Sequence, residues 1–134
     1  MGKPRVNSST QFKPSLVAQR RARVAKLVGA LPEASAVAVA GNHLSLEVRG
    51  RRFGWYLEDH HGDGRLALNC KVPAGENEAL AARAPSRYHF PKYLGHHGWV
   101  GLWLDLPHID WPEVERLLET TYRLAAPKSL LAKL

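Results

Sequence analysis

Two histidine pairs, His60-His61 and His96-His97, and two tryptophans four positions apart, Trp99 and Trp103, offer the most chemistry in this sequence. His60 and His61 stand between Asp59 and Asp63, so imidazole and carboxylate are close enough in the chain to suggest a divalent ion. Adjacent histidines on a strand or loop point apart, however, and no helical His-x-x-x-His or cysteine-containing spacing supports a closed metal site. These histidines read better as hydrogen-bonded turn residues, with Gly62 and Gly64 supplying positive backbone dihedrals. Nucleophilic chemistry finds no support: there is no Gly-x-Ser-x-Gly elbow, no Lys-Ser or Lys-Thr follows the glycines at 95–101, and Cys70 alternates with apolar neighbours. No catalytic residue, metal or cofactor is assigned.

Binding is the better lead. Strand alternation sets Val100, Leu102 and Leu104 on one face and Trp99, Gly101 and Trp103 on the other, so both faces of this strand are apolar and both must be covered. One face suits a core under helices. The other suits a wall for a flat ligand, with Trp99, Trp103 and Tyr56 as its surface and His96 and His97 beside it, or else a homodimer contact. Charge points to a different partner. The net charge is +7, residues 1–32 hold seven basic side chains and no acid, and residues 33–134 hold twelve of each sign. Clustered cations gain affinity for nucleic acid by releasing condensed counterions. Arg20, Arg21, Arg23 and Lys26 on a first helix, and Arg51, Arg52, Arg87 and Lys92 near strand ends, are the candidate phosphate contacts.

The elements that position these residues follow from periodicity. Residues 1–12 are polar and read as a flexible arm, with a single domain over 13–134. A helix is expected from Ser15 as cap, with Val17, Val24, Leu27, Val28 and Leu31 inward and the basic arc outward. Period-two segments follow: a weak strand at 36–40, a turn at Gly41-Asn42, Leu44, Leu46 and Val48 facing inward, and a turn at Gly50. In the next strand Phe53, Trp55 and Leu57 are expected on the core face, with Tyr56 and Glu58 opposite. Leu66, Leu68, Cys70 and Val72 continue that core face, leaving Asn69 and Lys71 outside. A short helix over 76–84 precedes the Trp99 strand, and Asp110 with Glu113 caps a C-terminal helix whose stripe is Trp111, Val114, Leu117, Leu118 and Tyr122. Pro127 ends it, and 129–134 adds a further turn. No apolar run reaches the ~20 residues of a membrane span. The lone cysteine fits a cytoplasmic protein.

In order, these pieces resemble the MmcQ/YjbR family, whose fold is similar to that of the frataxin-like CyaY proteins. The resemblance rests on the run from Asp59 through His60, His61, Gly62, Asp63 and Gly64 to Arg65, and on Pro91, Tyr93 and Gly95 followed by Gly98, Trp99, Val100 and Gly101. Leu104-Asp105, and Asp110-Trp111 through Tyr122-Arg123-Leu124 to Ala126-Pro127-Lys128, complete it. It implies an α+β fold, an antiparallel sheet with N- and C-terminal helices packed on one face, and DNA binding through a double-wing arrangement; it carries no catalytic role. The expectation is a non-enzymatic DNA-binding protein, with a planar small-molecule binder or a homodimerisation module as the alternatives.

Overall fold

The computed structural model describes residues 14–134 apart from Tyr93, and the side chain of His96 also falls outside the description, as do the expected arm and Lys13. Pro14 opens the first helix instead of preceding it. Helix α1 spans Pro14–Gly29, because proline has no amide hydrogen to lose in a first turn, so Ser15 lies inside the helix and is not its cap. Its buried residues Arg20, Val24 and Val28 follow a spacing of four, one stripe of the helix.

Six antiparallel strands follow: β1 Ala34–Ala38, β2 Leu44–Val48, β3 Arg51–Glu58, β4 Leu66–Lys71, β5 Tyr88–His89 and β6 Trp99–Trp103. They form one sheet in the order β1-β2-β3-β4-β6-β5. β1 starts two residues earlier than the alternation suggests. Between β2 and β3 the chain reverses through Arg49 and Gly50, flanked by the Val48–Arg51 pair, with φ of 50° and 77° at the two turn residues. Two successive positive φ values are the primed turn whose twist matches that of the flanking strands.

Helices α1 and α3 (Trp111–Ala125) cover the same face of this sheet, α1 chiefly over β1 and α3 over β3 and β4. The core between them joins Val24 and Val28 to Leu46, Tyr56, Leu68, Val100, Leu104, Leu118 and Tyr122. Helix α3 is capped as its sequence suggests: the Asp110 carboxylate accepts from the Glu113 amide at 3.2 Å. The Glu113 carboxylate turns instead to Arg87 and to the Tyr88 hydroxyl, at 3.0 and 2.9 Å. Helix α2 (Glu76–Arg83) packs beside β5 and β6, and the short α4 (Lys128–Leu131) buries Leu130. Among the described residues no helix is long and apolar enough to cross a membrane.

β3 departs from simple alternation, and its two faces exchange midway. The β2–β3 register shifts between Leu46 and Glu47, so Arg52 pairs with Glu47 but Gly54 with Leu46, leaving Phe53 as the extra residue of a bulge. Phe53 and Tyr56, three apart, therefore both reach the helix-covered side, where Phe53 meets Tyr122 edge to face at 5.8 Å. Trp55 and Leu57 are turned to the open side. This reverses the expected assignment of Trp55, Leu57 and Tyr56. Helix α3 braces the bulge, since the Thr121 hydroxyl donates to the Phe53 carbonyl at 2.6 Å.

Arg20 is a second correction. It is only 7% exposed, and its guanidinium donates to the carbonyls of Leu104 and Leu106, both at 2.7 Å, and of Pro107 at 3.4 Å. Burial lowers its pKa from the ordinary value, with Asp105 acting in the opposite sense. It ties α1 to the segment leaving β6 and has no freedom to meet a phosphate. Arg20→Met removes charge-assisted hydrogen bonds and leaves buried carbonyls unpaired, so it is expected to lower stability by about 2 kcal/mol in urea unfolding; an unchanged midpoint would contradict this role.

Candidate functional site

The sheet face away from α1 and α3 carries a depression that can be read directly from strand register. One cross-strand row runs Trp55, Asn69, Gly101, His89, and the next runs Leu57, Ala67, Trp103. Small residues at Ala67 and Gly101 lower the floor while Trp55 and Trp103 raise the sides. Loop residues Val39, Ala40, Phe90, Pro91 and Leu94 close around them, and His43, His60, His61, Asp63, Arg65 and Lys92 supply polar groups. The result is a cleft of about 710 Å³, a size suited to a small molecule.

Arg65 and Asp105 organise one wall. Asp105 is fully buried and receives Arg65 through Nε at 2.7 Å and Nη2 at 2.9 Å, with the Leu66 amide adding a third bond at 3.0 Å. This planar fork holds the guanidinium 3.7 Å from the centroid of the Trp103 ring. The His89 ring is stacked on the same indole, also at 3.7 Å and only 16° from parallel. Two groups that close cannot share one side of a ring, so the indole lies between them.

His89 lies across the gap left by Gly101. A Cβ at position 101 would sit 2.2 Å from Cε1 and Nε2 of His89 and 2.9 Å from Oδ1 of Asn69. Among the described residues two buried polar atoms here lack partners: Asn69 Oδ1, on a residue 6% exposed, and His89 Nδ1. Such orphans are uncommon in folded proteins and cost free energy. Burial, then Arg65, pushes His89 down to about 4, with Asp105 opposing. At the far end His43 meets His60 at 5.3 Å and His60 meets His61 at 3.9 Å. The His43 Nδ1 accepts from the Glu58 amide, and Asp59, at φ 56°, accepts from the Gly64 amide at 2.6 Å. Burial and the neighbouring histidines lower the His60 pKa, Asp63 opposing. Among the described residues no group of three His, Cys, Asp or Glu side chains gathers at metal-ligand spacing.

The expected ligand residues are not brought together. Trp103 lines the cleft, but Trp99 pairs with Lys71 beyond it, about 13 Å away along the strand. The space over Gly101, between the two tryptophans, is filled by His89. Tyr56 faces the opposite side, fully buried, its hydroxyl donating to Glu58 at 3.0 Å, and burial raises its pKa. His97 is exposed on a single turn of 3-10 helix, Gly95–His97, outside the cleft. The basic candidates are equally dispersed. Arg23 and Lys26 are exposed on α1, with Arg23 lying over Trp111, and Arg21 donates to the Asn42 carbonyl. Arg51 and Arg52 are exposed at the start of β3, where Arg52 lies over Trp55 and donates to Ser45. Arg87 is forked onto Glu113, and Lys92 stands exposed at the cleft rim. The basic face of α1 and the aromatic cleft thus lie on opposite sides of the sheet.

A family model for YjbR matches residues 29–124. The chain belongs to the YjbR family. Its fold is similar to that of protein DR2400 of Deinococcus radiodurans, assigned to the family-model domain DUF419. The TM-score is 0.60 at 20% identity, over 81% of this chain and 82% of that one. No curated protein matches. In this YjbR chain the cleft residues Trp55, Asn69, His89 and Arg65 were not foreseen as a site. Asn69, polar and outward in the middle of a strand whose other polar residue, Lys71, stands at its end, was the available signal, but only the register joins it to His89.

Two outcomes check this geometry. Because the His89 pKa is depressed in the fold, the unfolded chain binds more protons between about pH 6.5 and 4, so stability present above about 6.5 falls as pH drops through that window. An NMR titration should leave the His89 ring unshifted until near pH 4, and a midpoint near 6.5 would contradict its burial. Gly101→Ala should drive His89 off Trp103, seen as loss of the ring-current shift on the imidazole; retention of that shift would refute the packing.

Proposed function

We propose that this protein binds, without covalent chemistry, a flat and partly apolar small molecule in the cleft of the open sheet face. The observation that carries the reading is the unpartnered Oδ1 of Asn69, a nearly buried acceptor at the floor of an aromatic-walled cleft. A buried acceptor costs least when a ligand supplies its donor. Trp55, Leu57, Ala67 and Trp103 offer apolar surface, while Lys92, exposed at the rim, favours a ligand with anionic character. The reading includes a cytoplasmic setting, supported by the single cysteine, Cys70, held as a buried thiol.

The test uses anilinonaphthalene sulfonate, an anionic aromatic dye that reports accessible apolar surface. It is expected to quench tryptophan emission in the native protein with a micromolar midpoint, and Ala67→Phe, which fills the floor, should weaken it at least about tenfold. Dye binding unaffected by Ala67→Phe would overturn the reading.

DNA binding through phosphates is a second reading, favoured by the exposed Arg23 and Lys26 on α1 and by a net charge of +7. About four phosphate contacts would make affinity for a labelled duplex fall on the order of a hundredfold between roughly 50 and 200 mM salt. Because α1 is on the other side of the sheet, Arg23→Glu with Lys26→Glu should weaken duplex binding and leave dye binding intact. Absence of duplex binding even at low salt would remove this reading.

A further inference from the structure

We propose that the His89 imidazole is a placeholder, and that the seat it fills against Trp103 and over Asn69 receives a flat, N–H-donating heterocycle of nucleobase type. The inference rests on the cleft being a ligand site. It is drawn from what the closed arrangement leaves unsatisfied. The imidazole gains a near-parallel stack on Trp103, yet its own Nδ1 finds no partner and Asn69 Oδ1 beneath finds none either. A five-membered ring from the chain thus takes the aromatic half of the site and leaves its polar half unused. A larger heterocycle in that seat stacks on the same indole face and donates a ring or amino N–H to Asn69.

Three features select the ligand class. Gly101 clears the floor: any side chain there would collide with whatever lies flat over it. Asn69 carries an amide, which pairs with the adjacent donor and acceptor of a base edge. Lys92, exposed at the rim, is placed for a phosphate attached to the heterocycle. The imidazole can leave because β5 is a two-residue strand at the edge of the sheet, paired only with β6. Nucleobase chemistry is available from a free mononucleotide or from an unpaired base in a single strand, and the probes separate the two.

The experiment titrates the four nucleoside monophosphates, their nucleosides and a short thymidine oligonucleotide into the full chain. Binding is read by tryptophan quenching, and the His89 ring by NMR. At least one monophosphate is expected to bind and to move the His89 resonance from its stacked shift to that of a free imidazole. His89→Ala should tighten that binding on the order of tenfold, because the internal competitor is gone. Asn69→Leu should weaken it by about the same factor, and Lys92→Ala should remove the advantage of monophosphate over nucleoside. Binding of the oligonucleotide alone would assign the seat to a displayed base. If the dye binds while no nucleotide or oligonucleotide binds native protein or His89→Ala, the inference fails and the cleft reading stands. If the dye fails as well, both fall. Weaker binding in His89→Ala, or a bound state in which the native His89 resonance stays stacked, would make His89 a contact instead of a placeholder and overturn the proposal.

Discussion

A single buried carboxylate sets the geometry of the open face. Asp105 lies just beyond the end of β6 with no exposure to solvent, and a charge in that position must be paired or it destabilises the fold. Arg65, entering β4, supplies the counter-charge through both arms of its fork. The pairing closes the end of the β4–β6 ladder, where the Leu104 amide also bonds to the Leu66 carbonyl at 2.9 Å. It also fixes a guanidinium flat against Trp103, so the orientation of the indole, and through it the seat of His89, follows from one ion pair. Arg20 performs the matching task on the helical side, holding the carbonyls of the segment that follows.

The β3 bulge decides what each face contains. Without the extra residue at Phe53, strict alternation would put Tyr56 in the open and Trp55 in the core. With it, Tyr56 completes the apolar contact with the helices and Trp55 becomes a wall of the cleft. The bulge therefore separates a face that holds the protein together from one that lines the cleft. Asn69 fits this division: it sits between Leu68 and Cys70 in the chain, yet faces a different environment from either.

Much of the fold is legible in the residues themselves. Alternation in 99–104 assigns Val100, Leu102 and Leu104 correctly to the core, and the stripe of α3 with its Asp110 cap is where spacing places it. Local pattern fails where a long-range contact overrides it. Arg20 has the spacing of an outward basic residue in an Arg-Arg pair, but carbonyls more than eighty positions away capture it. Trp55, Leu57 and Tyr56 are misassigned because a bulge is a property of a strand pair and leaves no mark on alternation alone. The candidate site was least legible of all: Trp55, Asn69, Gly101 and His89 become neighbours only through three successive strand registers.

The brevity of β5 bears on more than the position of one imidazole. A two-residue strand at the margin of a sheet contributes few ladder bonds, and such margins open in small, local excursions at far lower cost than global unfolding. The wall formed by His89, Phe90 and Pro91 therefore hangs on fewer strand pairs than β4 or β6. Strand bonding is thus uneven across one sheet, dense along β3 and β4 and sparse at the edge that carries His89.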